Sequence, residues 1–130
     1  MEIKTINSAV WSENVVGSFF GSGNRNSTVV ATASYEHKEE EVSLVAIDGL
    51  DCGTVDYIKY DVEGAEREAL VGSHKTIESY TPTLLISLYH RSRDIFELIN
   101  TVSEKYPEYK LYLRRLRCLP AWEIDLIAVK

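Results

Sequence analysis

"IKYDVEGAEREAL", residues 58–70, changes its period partway along, and that change decides the fold. Val55 to Val62 reads as a strand, mostly apolar and interrupted by Lys59. From Ala65 to Glu78 the spacing is helical. Ala65, Ala69, Ser73 and Ile77 recur on one side, giving a small-residue face that can lie close against a sheet. Gly64 permits a tight turn between the two. Three acids, Asp61, Glu63 and Glu66, crowd this joint. A carboxylate near a helix N-terminus meets unpaired N–H groups and the positive end of the dipole, so Glu63 or Glu66 can serve simply as a cap, and Glu66 reads mainly that way. Asp61 sits earlier, at the strand tip, where capping explains it less well.

Downstream of the joint, Pro82 marks the helix stop. Thr83 to Tyr89, "TLLISLY", is a near-continuous apolar run of strand length, as expected for a strand covered on both faces. Ile95, Leu98, Ile99 and Val102 carry the i, i+3, i+4, i+7 pattern of a helix packed on one side, with Ser92 as N-cap, Asp94 in its first turn and Pro107 past its end. Lys110 to Arg114 alternates with period two, and Ile124 to Val129 is mainly apolar, so the two form an antiparallel hairpin edge. Upstream, Ile3 to Trp11 reads as a short strand and Val15 to Val30 as a hairpin turning on Gly21, Gly23 and Asn24. Its "GSGN" lacks the further glycine and Lys-Ser/Thr pair of a phosphate loop. "EHKEEE", Glu36 to Glu41, reads as a solvated loop, and Val42 to Ile47 as another strand.

Strand, helix, strand, helix, strand, strand from Val55 onward is an α/β order with an antiparallel pair at its end. In such sheets ligands sit outside the carboxyl ends of the parallel strands. Two loops lie there: "YDVEGAE" and "YHRSRD", Tyr89 to Asp94. If their strands are neighbours, Asp61, Glu63 and His90 converge on one rim. Such acids can hold a hard divalent cation, orient a cationic cofactor, or supply a general base. His90 alone reads first as a surface or capping histidine, yet an imidazole can take a proton at neutral pH. His37 and His74 have no such setting.

The chain has 130 residues, 45% hydrophobic and 26% charged, which suits one soluble globular domain. A net charge of −6 argues against a nucleic-acid surface, and Arg114, Arg115 and Arg117 read as a solvated edge. Cys52 and Cys118 stand far apart, without a disulfide framework or zinc pattern, which fits a reducing cytoplasm. No stretch approaches the roughly 18 apolar residues of a membrane span, and the start lacks a signal peptide. Asn26-Ser27-Thr28 is read as a chance match to a glycosylation acceptor. No G-x-S-x-G elbow is present, which lowers hydrolase readings.

Taken in order, these segments resemble FkbM-type methyltransferases. "VDYIKYDVEGAEREALVGS", Val55 to Ser73, is similar to that family's strand with Lys-x-Asp-x-Glu-Gly-Ala-Glu followed by a helix ending near Leu-x-Gly. "PTLLISLYHRSRDIFEL" resembles its next strand and Tyr-His loop, "YPEYKLYLRR" its late strand, and "INSAVW" the piece before its inserted hairpin. The resemblance implies a truncated Rossmann-like sheet of the class I methyltransferase type: parallel strands, an antiparallel C-terminal hairpin edge and an inserted β-hairpin. It implies a single partial domain over residues 1–130, with the hairpin insertion about 15–47 and the α/β core about 55–130. It implies methyl transfer from S-adenosylmethionine to a hydroxyl of a sugar, glycan or small-molecule acceptor. By residue match, Ser8, Ala9 and Val10 lie near the adenine, Asp61 and Glu63 at the reaction rim, and His90 opposite as the base; no metal is implied. The family's glycine-rich loop and ribose-binding acid have no counterpart in this chain. The expectations are therefore weak cofactor binding by the chain alone, and a homodimer or a partner that supplies further strands. A non-catalytic interaction module and a divalent-metal hydrolase using Asp61 and Glu63 are the alternatives.

Overall fold

The computed structural model describes residues 3–20, 28–30, 39–115 and 123–130. Its strands are β1 (Ala9–Val10), β2 (Val15–Phe20), β3 (Thr28–Val30), β4 (Glu39–Val45), β5 (Tyr57–Tyr60), β6 (Thr83–Ser87), β7 (Lys110–Arg115) and β8 (Ile124–Val129). Its helices are α1 (Glu66–Val71), α2 (His74–Tyr80) and α3 (Asp94–Lys105), with a 3₁₀ turn at Ile47–Gly49. They form a mixed α/β fold with two mixed sheets, ordered β1-β4-β2-β3 and β5-β6-β8-β7.

In the second sheet β5 and β6 run parallel, so both strand tips open onto one rim, while β8 is antiparallel to β6 and pairs β7 at the edge. One core holds it together. Ile58, Tyr60, Leu84, Ile86, Leu126 and Ala128 from the sheet meet Ala69, Leu70 and Ile77 of α1 and α2, and Leu98 and Val102 of α3. The alternation along β5 and β6 explains which residues are chosen, since every second side chain points to the helices. The apolar run of β6 suggested cover on both faces. The other face is more open, with Tyr57 53% and Tyr112 54% exposed.

The first sheet departs from expectation in two places. Ile3 to Trp11 is a strand only at Ala9–Val10, which pairs β4 in parallel, while Ile3 and Ile6 are exposed. Glu39 to Glu41 are no loop: they extend β4 against Phe20, Phe19 and Ser18 of β2. The β2–β3 hairpin itself is present, with Phe19 opposite Val29. The expected turn at Gly21, Gly23 and Asn24, the acceptor match at Asn26-Ser27, His37, Arg117 and Cys118 lie outside the described residues.

The single helix expected over 65–78 is two. Gly72 closes α1, and its carbonyl accepts the Asp48 N–H at 2.8 Å. Ser73 Oγ donates back to the carbonyls of Ala69 and Leu70, and accepts the Tyr60 hydroxyl at 2.5 Å. The new N-terminus is then capped from afar: the Asp48 carboxylate accepts the Lys75 N–H at 3.0 Å and the Thr76 N–H at 2.8 Å. A carboxylate on a fresh set of helical N–H groups stabilises the restart. At α3 the N-cap is Arg93, not Ser92, and no side chain caps it.

Candidate active site

The rim expected from the sequence is assembled. Asp61 and Glu63 leave the end of β5, and His90 leaves the end of β6. His90 Nε2 lies 3.6 Å from Asp61 Oδ1 and 3.8 Å from Glu63 Oε2. The turn that presents the acids is unusual: Glu63 has φ 53° and Gly64 φ 91°. A left-handed non-glycine residue costs free energy, and such residues cluster where a site dictates the backbone. The Arg91 side chain packs over Gly64, with Nε 2.9 Å from where a Cβ would stand.

Glu66 caps the turn as expected and has a second partner that the sequence did not show. It is both a turn cap and a partner of the histidine. Its Oε1 accepts the Val62 N–H at 3.1 Å and the Gly64 N–H at 3.4 Å, and lies 2.7 Å from His90 Nδ1. The residue is 0% exposed. The available signal was helical spacing: Glu66 precedes Ala69, Leu70 and Ser73 by three, four and seven positions, so it shares their buried face.

Further partners set the polarity. Tyr89 donates its hydroxyl to Asp61 Oδ1 at 2.8 Å, and its ring lies 4.3 Å from the His90 ring. Lys59 Nζ sits 2.8 Å from Asp61 Oδ2. Below the rim, Ser87 donates to the buried Asp125 at 3.4 Å. Burial works against the Asp61 charge, but hydrogen bonds from Lys59 and Tyr89 hold its carboxyl below the usual range. Burial and the neighbouring Asp61 push Tyr89 up to about 12, so it remains a donor. Burial also opposes charge on both members of the buried pair. The mutual hydrogen bond outweighs it, lowering Glu66 and raising His90, with the charges of Glu63 and Asp61 adding to the latter.

The signs fix a pH window. Stability from the raised His90 is complete below its ordinary value of 6.5 and is lost as pH rises through the folded value above that. Stability from the lowered Glu66 is present above 4.5 and is lost as pH falls through a folded value below that. The unfolding free-energy difference between the native chain and His90→Asn, measured by urea titration, is therefore expected to peak between pH 4.5 and 6.5 and shrink by pH 8. A difference that stays flat from pH 5 to 8 contradicts the ion pair.

Ala9 and Val10 form β1 of the first sheet and Ser8 directly precedes it; all three are half-buried, with Val10 packed against the core. They stand outside the rim's hydrogen-bond network. Next in the chain, the Trp11 carbonyl rests on Gly72 at the end of α1. Among the described residues no group of three or more His, Cys, Asp or Glu is placed to hold a metal ion. Asp61 already carries the Lys59 ammonium, which a divalent cation would have to displace, so the hydrolase alternative is not favoured. Among the described residues no helix is long and apolar enough to cross a membrane.

Carboxylates and an imidazole thus gather at the carboxyl ends of two parallel strands of an α/β domain, the rim where such sheets place ligands. The chain belongs to the methyltransferase FkbM domain family, whose family model matches residues 4–117. A crystal structure of a methyltransferase FkbM from Methylobacillus flagellatus KT superposes with a TM-score of 0.69 at 24% identity, over 93% of this chain. The chain spans 27% of the length of that protein. No curated protein matches the chain.

Proposed function

We propose that this chain contributes the acid–base rim of an O-methyltransferase that uses S-adenosylmethionine and acts on a hydroxyl of a sugar or small molecule. The observation that carries the reading is the position of His90 Nε2 between Asp61 and Glu63, in a chain of the FkbM family. The donor set fits a cationic cofactor: at a rim that also carries Lys59 and Arg91, the Glu63 side chain is 54% exposed and open to a ligand. Ser8, Ala9 and Val10 would lie along the adenine, and Asp61 near the charged end. S-adenosylmethionine, when bound, supplies an electrophilic methyl group on a sulfonium.

The chain's own residues then have distinct jobs. His90 Nε2 accepts the proton of the acceptor hydroxyl as that oxygen becomes a nucleophile. Hydrogen bonds from Tyr89 and Lys59 hold the Asp61 carboxylate in place, and the left-handed turn sets where the Glu63 backbone leaves the strand. Asp61 and Glu63 stabilise positive charge in the ground state. That stabilisation fades as the charge is lost, so these residues serve affinity more than rate.

The fold is read as a truncated Rossmann-like sheet forming part of one methyltransferase domain. Among the described residues β5 pairs on one side only, and the face around Tyr57 is exposed. Both support pairing of a further strand at that edge, whether from elsewhere in the same protein, a second copy or a partner. The exposed, free Cys52 supports a cytoplasmic setting. Calorimetry with S-adenosylmethionine tests the central reading. Heat of binding is expected, with affinity weakened at least about tenfold, or ~1.4 kcal/mol, in Asp61→Ala. No heat at roughly millimolar cofactor rejects cofactor use by this chain.

A further inference from the structure

We propose that Glu66 is a positioning residue that fixes which nitrogen of His90 faces the rim, making Nε2 the bare, proton-accepting atom. The tautomer stands on geometry alone; its catalytic meaning rests on the reading of His90 as the base.

The argument starts from what a buried carboxylate can do. An ionised carboxylate accepts hydrogen bonds and donates none. Glu66 Oε1 is held in place by the N–H groups of Val62 and Gly64, both on the strand-to-helix turn. The side chain lies fully inside, in the first turn of α1. It cannot swing away without uncovering those donors, and its oxygen is fixed 2.7 Å from His90 Nδ1. An acceptor at that distance requires a hydrogen on Nδ1. The opposite tautomer would set an imidazole lone pair against a carboxylate lone pair inside the protein, where that repulsion is poorly screened. The neutral ring therefore carries its proton on Nδ1 and its lone pair on Nε2, which is the atom turned toward Asp61 and Glu63. The charge of Glu66 also makes Nε2 a stronger base, in line with the upward shift of His90.

A purely structural role for Glu66 is the rival account, because the same oxygen caps the turn. Glu66→Gln separates the two. The amide oxygen can still accept the backbone N–H groups and the Nδ1–H, so turn and tautomer persist while the charge is gone. The readout is long-range ¹H–¹⁵N correlation of the histidine rings in the full chain, followed through a pH titration. In the native protein above the titration midpoint, Nδ1 is expected to show the protonated ring-nitrogen signature and Nε2 the bare one. In Glu66→Gln the same pattern is expected, with the His90 midpoint moved to lower pH and the Val62 and Gly64 amide signals retained. A native His90 with its proton on Nε2, or with both tautomers mixed, overturns the proposal. So does an unmoved midpoint in a folded Glu66→Gln. Should that variant fail to fold, the native tautomer still decides. Absence of cofactor binding with the Nδ1–H tautomer intact would reject the methyl-transfer reading and leave the role of Glu66 standing.

Discussion

With His90 as the base of the proposed reaction, His90→Asn is expected to slow methyl transfer by about 10²–10⁴-fold while leaving the affinity for S-adenosylmethionine within a few-fold of native. The choice of asparagine follows from the geometry. Removing the ring outright would leave the fully buried Glu66 carboxylate without its 2.7 Å partner, a change that destabilises on its own. The asparagine amide nitrogen stands close to where Nδ1 stands, so the donor to Glu66 is kept and only Nε2 is lost. The loss then reports proton transfer. Two quantities check it: the rate with a saturating hydroxyl acceptor, and the cofactor dissociation constant by calorimetry. A fall in rate of less than tenfold with unchanged folding would mean that His90 is not the base. A fall that comes entirely from cofactor affinity would place His90 in the binding surface instead. The native rate should also rise with pH through a midpoint above the ordinary 6.5, because the proton must leave the raised imidazole before it can accept another.

Much of the site was legible because its parts are local. A strand that turns polar at its tip, followed by glycine and a helix, places Asp61 and Glu63 by short-range rules, and the apolar run before Tyr89 places His90 the same way. The parallel pairing of β5 and β6 then needed only the α/β order. What escaped depends on contacts between distant segments. The end of α1 at Gly72 matches the Leu-x-Gly ending that the family resemblance implies, but the restart at His74 was not legible. It follows from Asp48, whose carboxylate reaches backbone N–H groups 27 and 28 residues onward. The Glu39–Glu41 run looked solvated by composition, yet β-pairing is a backbone property, and β2 supplied the partner. The second role of Glu66, beside the cap that was expected, escaped for a related reason. An acid in the first turn satisfies the capping rule completely, and nothing local signals that a histidine 24 residues away shares the same oxygen.

That same dependence on distant contacts makes Gly72→Ala a strongly damaging substitution for the fold. Gly72 has φ −73° and ψ −2°, which any residue adopts, so backbone freedom is not the reason for glycine here. The reason is space. A Cβ at this position would stand 2.0 Å from the Trp11 carbonyl oxygen and 3.1 Å from Ser12 Cα. Both are backbone atoms, so no rotamer change relieves the clash. The Gly72 peptide cannot retreat on its other side either, because its own carbonyl takes the Asp48 N–H at 2.8 Å, and Asp48 in turn caps α2. One methyl group therefore strains the end of α1, the start of α2 and the attachment of β1 together. The expected loss is about 3 kcal/mol or more, at the upper end of overpacking costs. For a domain of this size that lowers the melting temperature by roughly 10 °C. The chain has one other way to respond: Trp11 lifts off, giving up its N–H bond to the Val45 carbonyl at 2.8 Å and drawing Val10 away from the core. Hydrogen exchange at the Trp11 amide separates the two responses. Global destabilisation speeds exchange across α1, α2 and β6 alike, whereas lift-off speeds it at Trp11 and β1 first and weakens cofactor binding while the melting temperature holds. A Gly72→Ala chain that loses less than about 0.5 kcal/mol and keeps the Trp11 amide protected would show that the close approach of Trp11 to Gly72 does not constrain the fold.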